Sequence, residues 1–105
     1  MTDSSRYTIR VTPLALQRLA RITDPCDRDA IGDRIRHLNH EPETQGHPLI
    51  GKLFGYRSVK AANHCYRIVY RLEHRAVVVL MVEREHHNGA ARTPIDLVRD
   101  YYTIG

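Results

Sequence analysis

Arg67 and Arg84 stand among residues that otherwise read as core, in Cys65-Tyr66-Arg67-Ile68-Val69-Tyr70 and at the end of the run Ala76 to Val82. A guanidinium is permanently charged and presents a fork of donors that matches phosphate oxygens. Together with Lys60 and Arg71 the two arginines could form a phosphate cradle, and His86 and His87 follow close behind Arg84. Imidazole is the natural carrier of protons near neutral pH. These are the side chains needed to cut RNA without a metal. The 2′-hydroxyl is a built-in nucleophile, so a protein need only take its proton, protonate the leaving 5′-oxygen and hold the charge that builds on the phosphate. Lys60, Arg67, Arg84, His86 and His87 are therefore the candidate catalytic residues, with Lys52, Arg57 and Arg71 as candidate contacts to the RNA backbone. Plainer readings stand beside these: arginines on a solvated strand face, a histidine pair at a solvated loop end, and an Arg57 that braces the loop before it.

Other chemistries find less support. His64, Cys65, His86 and His87 could in principle hold a metal, but adjacent pairs do not match the usual zinc spacings, so no metal or cofactor is expected. Cys26 and Cys65 lie far apart and form no disulfide framework, which points to reduced thiols and a cytoplasmic location. There is no phosphate-binding glycine loop, no dinucleotide fingerprint, no serine elbow and no paired-carboxylate motif. No apolar run approaches the roughly 20 residues that span a bilayer, and Met1 to Tyr7 shows no apolar core of a secretory signal.

Charge is unevenly distributed. Residues 51–84 hold seven basic residues against Glu73 and Glu83, a net of +5, whereas the rest of the chain holds nine basic and ten acidic residues. The whole formal charge of +4 thus arises from one contiguous third of the sequence. Such a face attracts polyanions, and charge alone does not choose between RNA, DNA and an acidic protein segment. Arginine outnumbers lysine 14 to two, which suits phosphate recognition but also follows from a GC-rich genome.

The elements that must position these groups are legible in the pattern. The chain of 105 residues fits one domain. Tyr7 to Val11 alternates apolar and polar residues as a first strand. Thr12-Pro13 and Asp24-Pro25 are two helix starts, each a capping side chain followed by proline. The first helix carries Leu14, Leu16, Leu19, Ala20 and Ile22, and the second, from about Pro25 to Asn39, carries Ile31, Ile35 and Leu38 on one side. The stretch 40–51, with Pro42, Gly46, Pro48 and Gly51, reads as a loop. Strands follow at Arg57 to Ala61, Cys65 to Glu73 and Ala76 to Val82, the last apolar enough to be covered on both sides. Glu73-His74-Arg75 is a hairpin turn, and Thr93-Pro94 starts a short C-terminal helix. The expected fold is α+β: a two-helix hairpin on one face of a four-stranded, mainly antiparallel sheet in the order β-α-α-β-β-β. Simple alternation puts Arg67, Arg71 and Arg84 together on the opposite face.

Gly51-Lys52-Leu53-Phe54-Gly55-Tyr56-Arg57-Ser58-Val59-Lys60, then Cys65 to Arg71, then Val77 to Arg84, resembles the RelE/ParE toxin superfamily, whose members share a lysine-leucine-glycine stretch, a tyrosine-arginine strand and a valine-rich strand ending near an arginine. The resemblance covers about residues 7–90. It implies the toxin of a type II toxin–antitoxin system: a ribosome-dependent mRNA endonuclease that inhibits translation without a metal. A cognate antitoxin would neutralise it in a hetero-oligomer, with mRNA and the ribosome as its other partners and no membrane. On this resemblance Lys60 is the catalytic lysine, Arg67 a phosphate binder and Arg84 the last-strand arginine. Two positions depart from the pattern: Ser58 stands where a second lysine is expected, and Ala90 where a tyrosine is expected. His86, His87, Tyr101 or Tyr102 could substitute in proton transfer. A DNA gyrase inhibitor of the ParE kind, or a binding module that has lost catalysis, would share the scaffold without the cutting residues.

Overall fold

The computed structural model describes residues 6–85. Along the chain they form β1 (Thr8–Val11), α1 (Pro13–Ala20), α2 (Pro25–Arg36), β2 (His47–Pro48), β3 (Tyr56–Ala61), β4 (Tyr66–Glu73) and β5 (Ala76–Arg84). The sheet order is β1-β5-β4-β3-β2. β1 runs parallel to β5, and the other pairs are antiparallel. The α+β class and the two-helix layer agree with expectation, but the sheet has five strands rather than four. The extra one, β2, is only two residues long and contains a proline, so it offers no alternation to read and is tolerated because it lies at the edge. The predicted C-terminal helix falls outside the described residues.

Both helices begin as their sequences dictate. The Thr12 hydroxyl accepts from the Ala15 N–H at 3.2 Å, and the Asp24 carboxylate accepts from the Cys26 N–H at 2.8 Å, each with proline at the first helical position. α2 tightens into a 3₁₀ turn at His37–Asn39, so the two pieces together fill the expected span. The buried stripe of α1 is shifted by one residue from the sequence reading. Ala15 and Ile22 are buried and Leu19 half-buried, whereas Leu16 is exposed. With Ile31, Ile35 and Leu38 of the second helix they pack on Tyr66, Ile68, Tyr70, Val77, Val79 and Val82. The opposite face of the sheet has its own smaller cluster of Leu53, Val69, Leu80 and Met81, so β5 is indeed covered on both sides. Among the described residues no helix is long and apolar enough to cross a membrane.

One irregularity governs the site. Val69 pairs with Met81, but Tyr70 pairs with Val79, leaving Leu80 as an extra residue in β5. A bulge of this kind exchanges the two faces on either side of it. Its free carbonyl is not orphaned: the hydroxyl of Thr12, the cap of α1, donates to Leu80 O at 2.9 Å. The helix start therefore fixes the bulge, and the bulge fixes which way the end of β5 faces.

Tyr70 ties the sheet to the segment before β2. Its ring is fully buried, and its hydroxyl lies 2.8 Å from Pro42 O and 3.0 Å from Gln45 O. Burial pushes this phenol above its ordinary value of 10.0, partly opposed by the neighbouring Arg57 guanidinium. Tyr70→Phe strands the buried Pro42 carbonyl and is expected to lower stability by about 1–3 kcal/mol. The raised value means the folded state holds this proton more tightly than the unfolded chain. The associated stability is complete below pH 10 and disappears as pH climbs through the raised value. Thermal melts of the wild type should thus drop above pH 10, and the gap between wild type and Tyr70→Phe should narrow there.

Candidate functional site

Lys60 and Arg67 are direct cross-strand partners on β3 and β4. Side chains of paired residues share a face, and so do residues two apart along a strand. By this register His47, Ser58, Lys60 and Arg67 all lie on the face away from the helices, because His47 pairs with Ser58. β2 pairs with β3 only at Arg57 and Ser58, so from Val59 onward the β3 edge has no strand beside it among the described residues. A cleft of about 280 Å³ opens at this edge, lined by Arg34, His47, Ser58, Lys60, His64 and Arg67. An adjoining cleft of about 450 Å³ shares Arg34, Lys60 and His64 and adds His37. Together the two clefts are bordered by Arg34, Lys60 and Arg67, by His37, His47 and His64, and by the carboxylate Asp33; the groove proper is the cleft at Lys60 and Arg67.

His64 ends a strained turn. Ala62, Asn63 and His64 have φ values of 53°, 57° and 67°, a left-handed run that costs on the order of 1 to 3 kcal/mol per residue outside glycine. The turn is closed by the Cys65 N–H donating to Ala62 O at 3.1 Å. It delivers His64 beside the Lys60–Arg67 pair, immediately before the strand that carries Arg67. Arg34 is held from α2 by donating to Gln45 Oε1 at 2.5 Å, and Gln45 in turn donates to His37 O and His40 O.

Arg67 itself is engaged by Glu85 in a close ion pair, both side chains about one-quarter exposed. The Glu85 N–H donates to Cys65 O at 2.7 Å, which anchors this carboxylate at the end of β5. The Arg67 Nε is buried and makes no hydrogen bond among the described residues.

The other expected site residues are dispersed. Arg84 pairs with Tyr66, and Tyr66 belongs to the helix-side core. Arg84 therefore projects on the helix side and lines a different cleft, with Arg18 and Arg21. The expectation that Arg67 and Arg84 share a face is overturned, and the cause is the extra residue Leu80. Arg57 also lies on the helix side, as the partner of Tyr70. It donates from Nε to Gln45 O at 2.9 Å and from Nη2 to Gly46 O at 3.3 Å, so it braces the loop instead of facing a ligand. Arg71 shares the Arg67 face but is held by the Tyr56 hydroxyl at 3.1 Å and by Glu73 at 2.7 Å. Lys52 is exposed in a 3₁₀ turn, Gly51–Leu53. His86 and His87 lie outside the described residues. Among the described residues no group of three or more His, Cys, Asp or Glu could hold a metal ion.

Sequence reasoning considered His64 only as a metal ligand and did not single out Arg34, His47 or Glu85. A signal for His64 was available in its place three residues before Arg67. None was available for Arg34, which reaches the groove from another layer.

No protein-family model matches the chain, and no curated protein matches it. Solved structures do. A chain of the toxin–antitoxin complex RelBE2 from Mycobacterium tuberculosis is 31% identical, with a TM-score of 0.69 over 81% of this chain and 98% of that one. The isolated RelE toxin of E. coli superposes with a TM-score of 0.66 at 16% identity, covering 93% of this chain and 98% of that one. A chain of the chromosomal ParDE system of P. aeruginosa gives 0.64 at 13% identity, over 79% of this chain and 100% of that one.

Proposed function

Because the chain belongs to the RelE/ParE toxin superfamily, we propose that it is the toxin of a type II toxin–antitoxin system and acts as a metal-independent, ribosome-dependent mRNA endonuclease. The observation that carries this reading is the Lys60–Arg67 pair, cross-strand partners on one face at a groove that His47 and His64 also line. In the reaction the RNA 2′-oxygen forms a bond to phosphorus while the bond from phosphorus to the 5′-oxygen breaks. The products are a 2′,3′-cyclic phosphate and a free 5′-hydroxyl. Lys60 and Arg67 hold the negative charge that grows on the non-bridging oxygens, and the imidazoles bordering the groove exchange the two protons. A phosphate entering the groove must displace the Glu85 carboxylate from Arg67 or share the guanidinium with it.

The likeness to toxin–antitoxin complexes supports a cognate antitoxin as partner. Its expected mode is an acidic segment laid over the basic face.

Primer extension on mRNA after induced expression tests the reading. Defined breaks inside reading frames, absent when Lys60→Ala is expressed, are the expected result. Intact mRNA alongside poisoned DNA gyrase would transfer the assignment to the ParE-like function. One observation favours that alternative: Arg84 stands away from Arg67, and Arg67 is already matched by a carboxylate.

A further inference from the structure

The bulge that removes Arg84 from the groove delivers it somewhere specific. At the helix-side end of β5 it meets the C-terminal end of α1, and Arg18, Arg21 and Arg84 surround a cleft of about 320 Å³. The floor is apolar, formed by Ile22, Tyr66 and Val82, which are at most 9% exposed. Glu83 also borders the cleft, but its register with Arg67 places its side chain on the opposite face. Among the described residues the cations at this cleft are Arg18, Arg21 and Arg84.

A helix end accounts for part of this. Cations near a helix C-terminus are favoured by the helix dipole, and Arg18 and Arg21 occupy the last turn and cap of α1. It does not account for Arg84, which comes from another element and reaches this side only because Leu80 is inserted upstream. Arg84 stays exposed, as does Arg21, on the rim of the same cleft, and like charges so placed repel. An arrangement of this kind is relieved by a bound anion. Guanidinium forks match phosphate oxygens two at a time, and the apolar floor offers a surface for a sugar or a base edge.

From this we infer that the Arg18–Arg21–Arg84 cleft is a second nucleic-acid contact, one that takes the phosphodiester backbone of RNA. It lies on the opposite face from the Lys60–Arg67 groove, at the same end of the sheet, since Tyr66 and Arg67 are neighbours on β4. Backbone contacts position a nucleic acid without reading its sequence. The cleft thus orients RNA on the protein and takes no part in bond breaking; the choice of RNA among polyanions rests on the proposed function.

The test is fluorescence anisotropy of the purified chain with a short 2′-O-methylated RNA, which cannot be cut by 2′-hydroxyl attack, over a range of salt concentrations. Arg21→Glu/Arg84→Glu is expected to weaken binding at least about tenfold and to reduce the salt slope by about 1.4, roughly 0.7 for each single-strand phosphate that is no longer neutralised. Arg10→Glu/Arg36→Glu makes the same change of charge on exposed arginines of β1 and α2 and is expected to leave the slope within a few tenths of the wild type. Arg84→Lys should retain most of the slope, and Arg84→Gln should lose about half of the double variant's effect. The Gln variant decides the matter if the Glu variants melt early. Equal losses from the two Glu pairs would show a diffuse charge effect and overturn the inference. Unchanged RNA binding would also overturn it, as would a cleft that responds only to polyglutamate and therefore serves an acidic protein.

Discussion

Arg67→Ala is expected to lower mRNA cleavage by on the order of 100-fold or more and to abolish growth arrest, with little change in the amount of folded protein. Removing one fixed donor from a charge-stabilising site commonly costs two to three orders of magnitude in rate. Arg67 is the group best placed to act in this way, because it sits opposite Lys60 on the neighbouring strand and lines the groove. The stability effect is much smaller. The partner removed is Glu85, and a partly solvated ion pair is worth about 1 kcal/mol or less. Arg67→Lys separates charge from geometry. It preserves the ion pair but loses the planar fork, so it should recover only a small part of the activity. Quantitative primer extension on the three proteins, together with thermal melts, checks the prediction. Full cleavage by the alanine variant would exclude the Lys60–Arg67 groove as the cutting site.

The second large effect concerns stability. Gly46 lies just before β2 with φ at +65°. A Cβ there would collide with the Ser58 carbonyl oxygen and come within 2.5 Å of Val59 Cγ1. Backbone cannot move aside as a flexible side chain can, so Gly46→Ala combines left-handed strain with overpacking, each costing about 1–3 kcal/mol. For a chain of this size the melting temperature should fall by on the order of 10–20 °C. The damage should extend to the groove, because Gly46 lines it and its carbonyl accepts from Arg57. A melting temperature within a few degrees of the wild type would mean that the loop approaches β3 less tightly than this geometry implies.

These two sites illustrate what could be read from the sequence. The helix starts at Thr12-Pro13 and Asp24-Pro25 were legible because capping is local chemistry. The faces of β4 were legible because Tyr66, Ile68, Tyr70 and Leu72 alternate with Arg67, Val69 and Arg71. Lys60 and Arg67 could be paired on paper because both lie on strands joined by a short turn. The face of Arg84 could not. Ala76 to Val82 is apolar throughout, so alternation carries no signal there, and an inserted residue at Leu80 leaves no mark in composition. Arg57 illustrates a different limit. Its role depends on carbonyls of Gln45 and Gly46, and sequence spacing does not reveal where a loop's backbone returns. His64 marks a third, partial limit: its place three residues before Arg67 was a signal, but a run of three left-handed residues without a glycine was not foreseeable from Ala62-Asn63-His64.

The parallel pairing of β1 with β5 has a consequence for how this molecule comes into being. Thr8 to Val11 must find Ala76 to Val79, and Thr12 must reach Leu80, across nearly the whole length of the described chain. Closing so long a loop is slow compared with forming the neighbouring hairpins. During synthesis the first strand leaves the ribosome early and waits, unpaired, until the last strand follows. The bulge, and with it the final direction of Arg84, can be set only once translation of the sheet is nearly complete. A nascent chain of this design acquires its mature basic surface late.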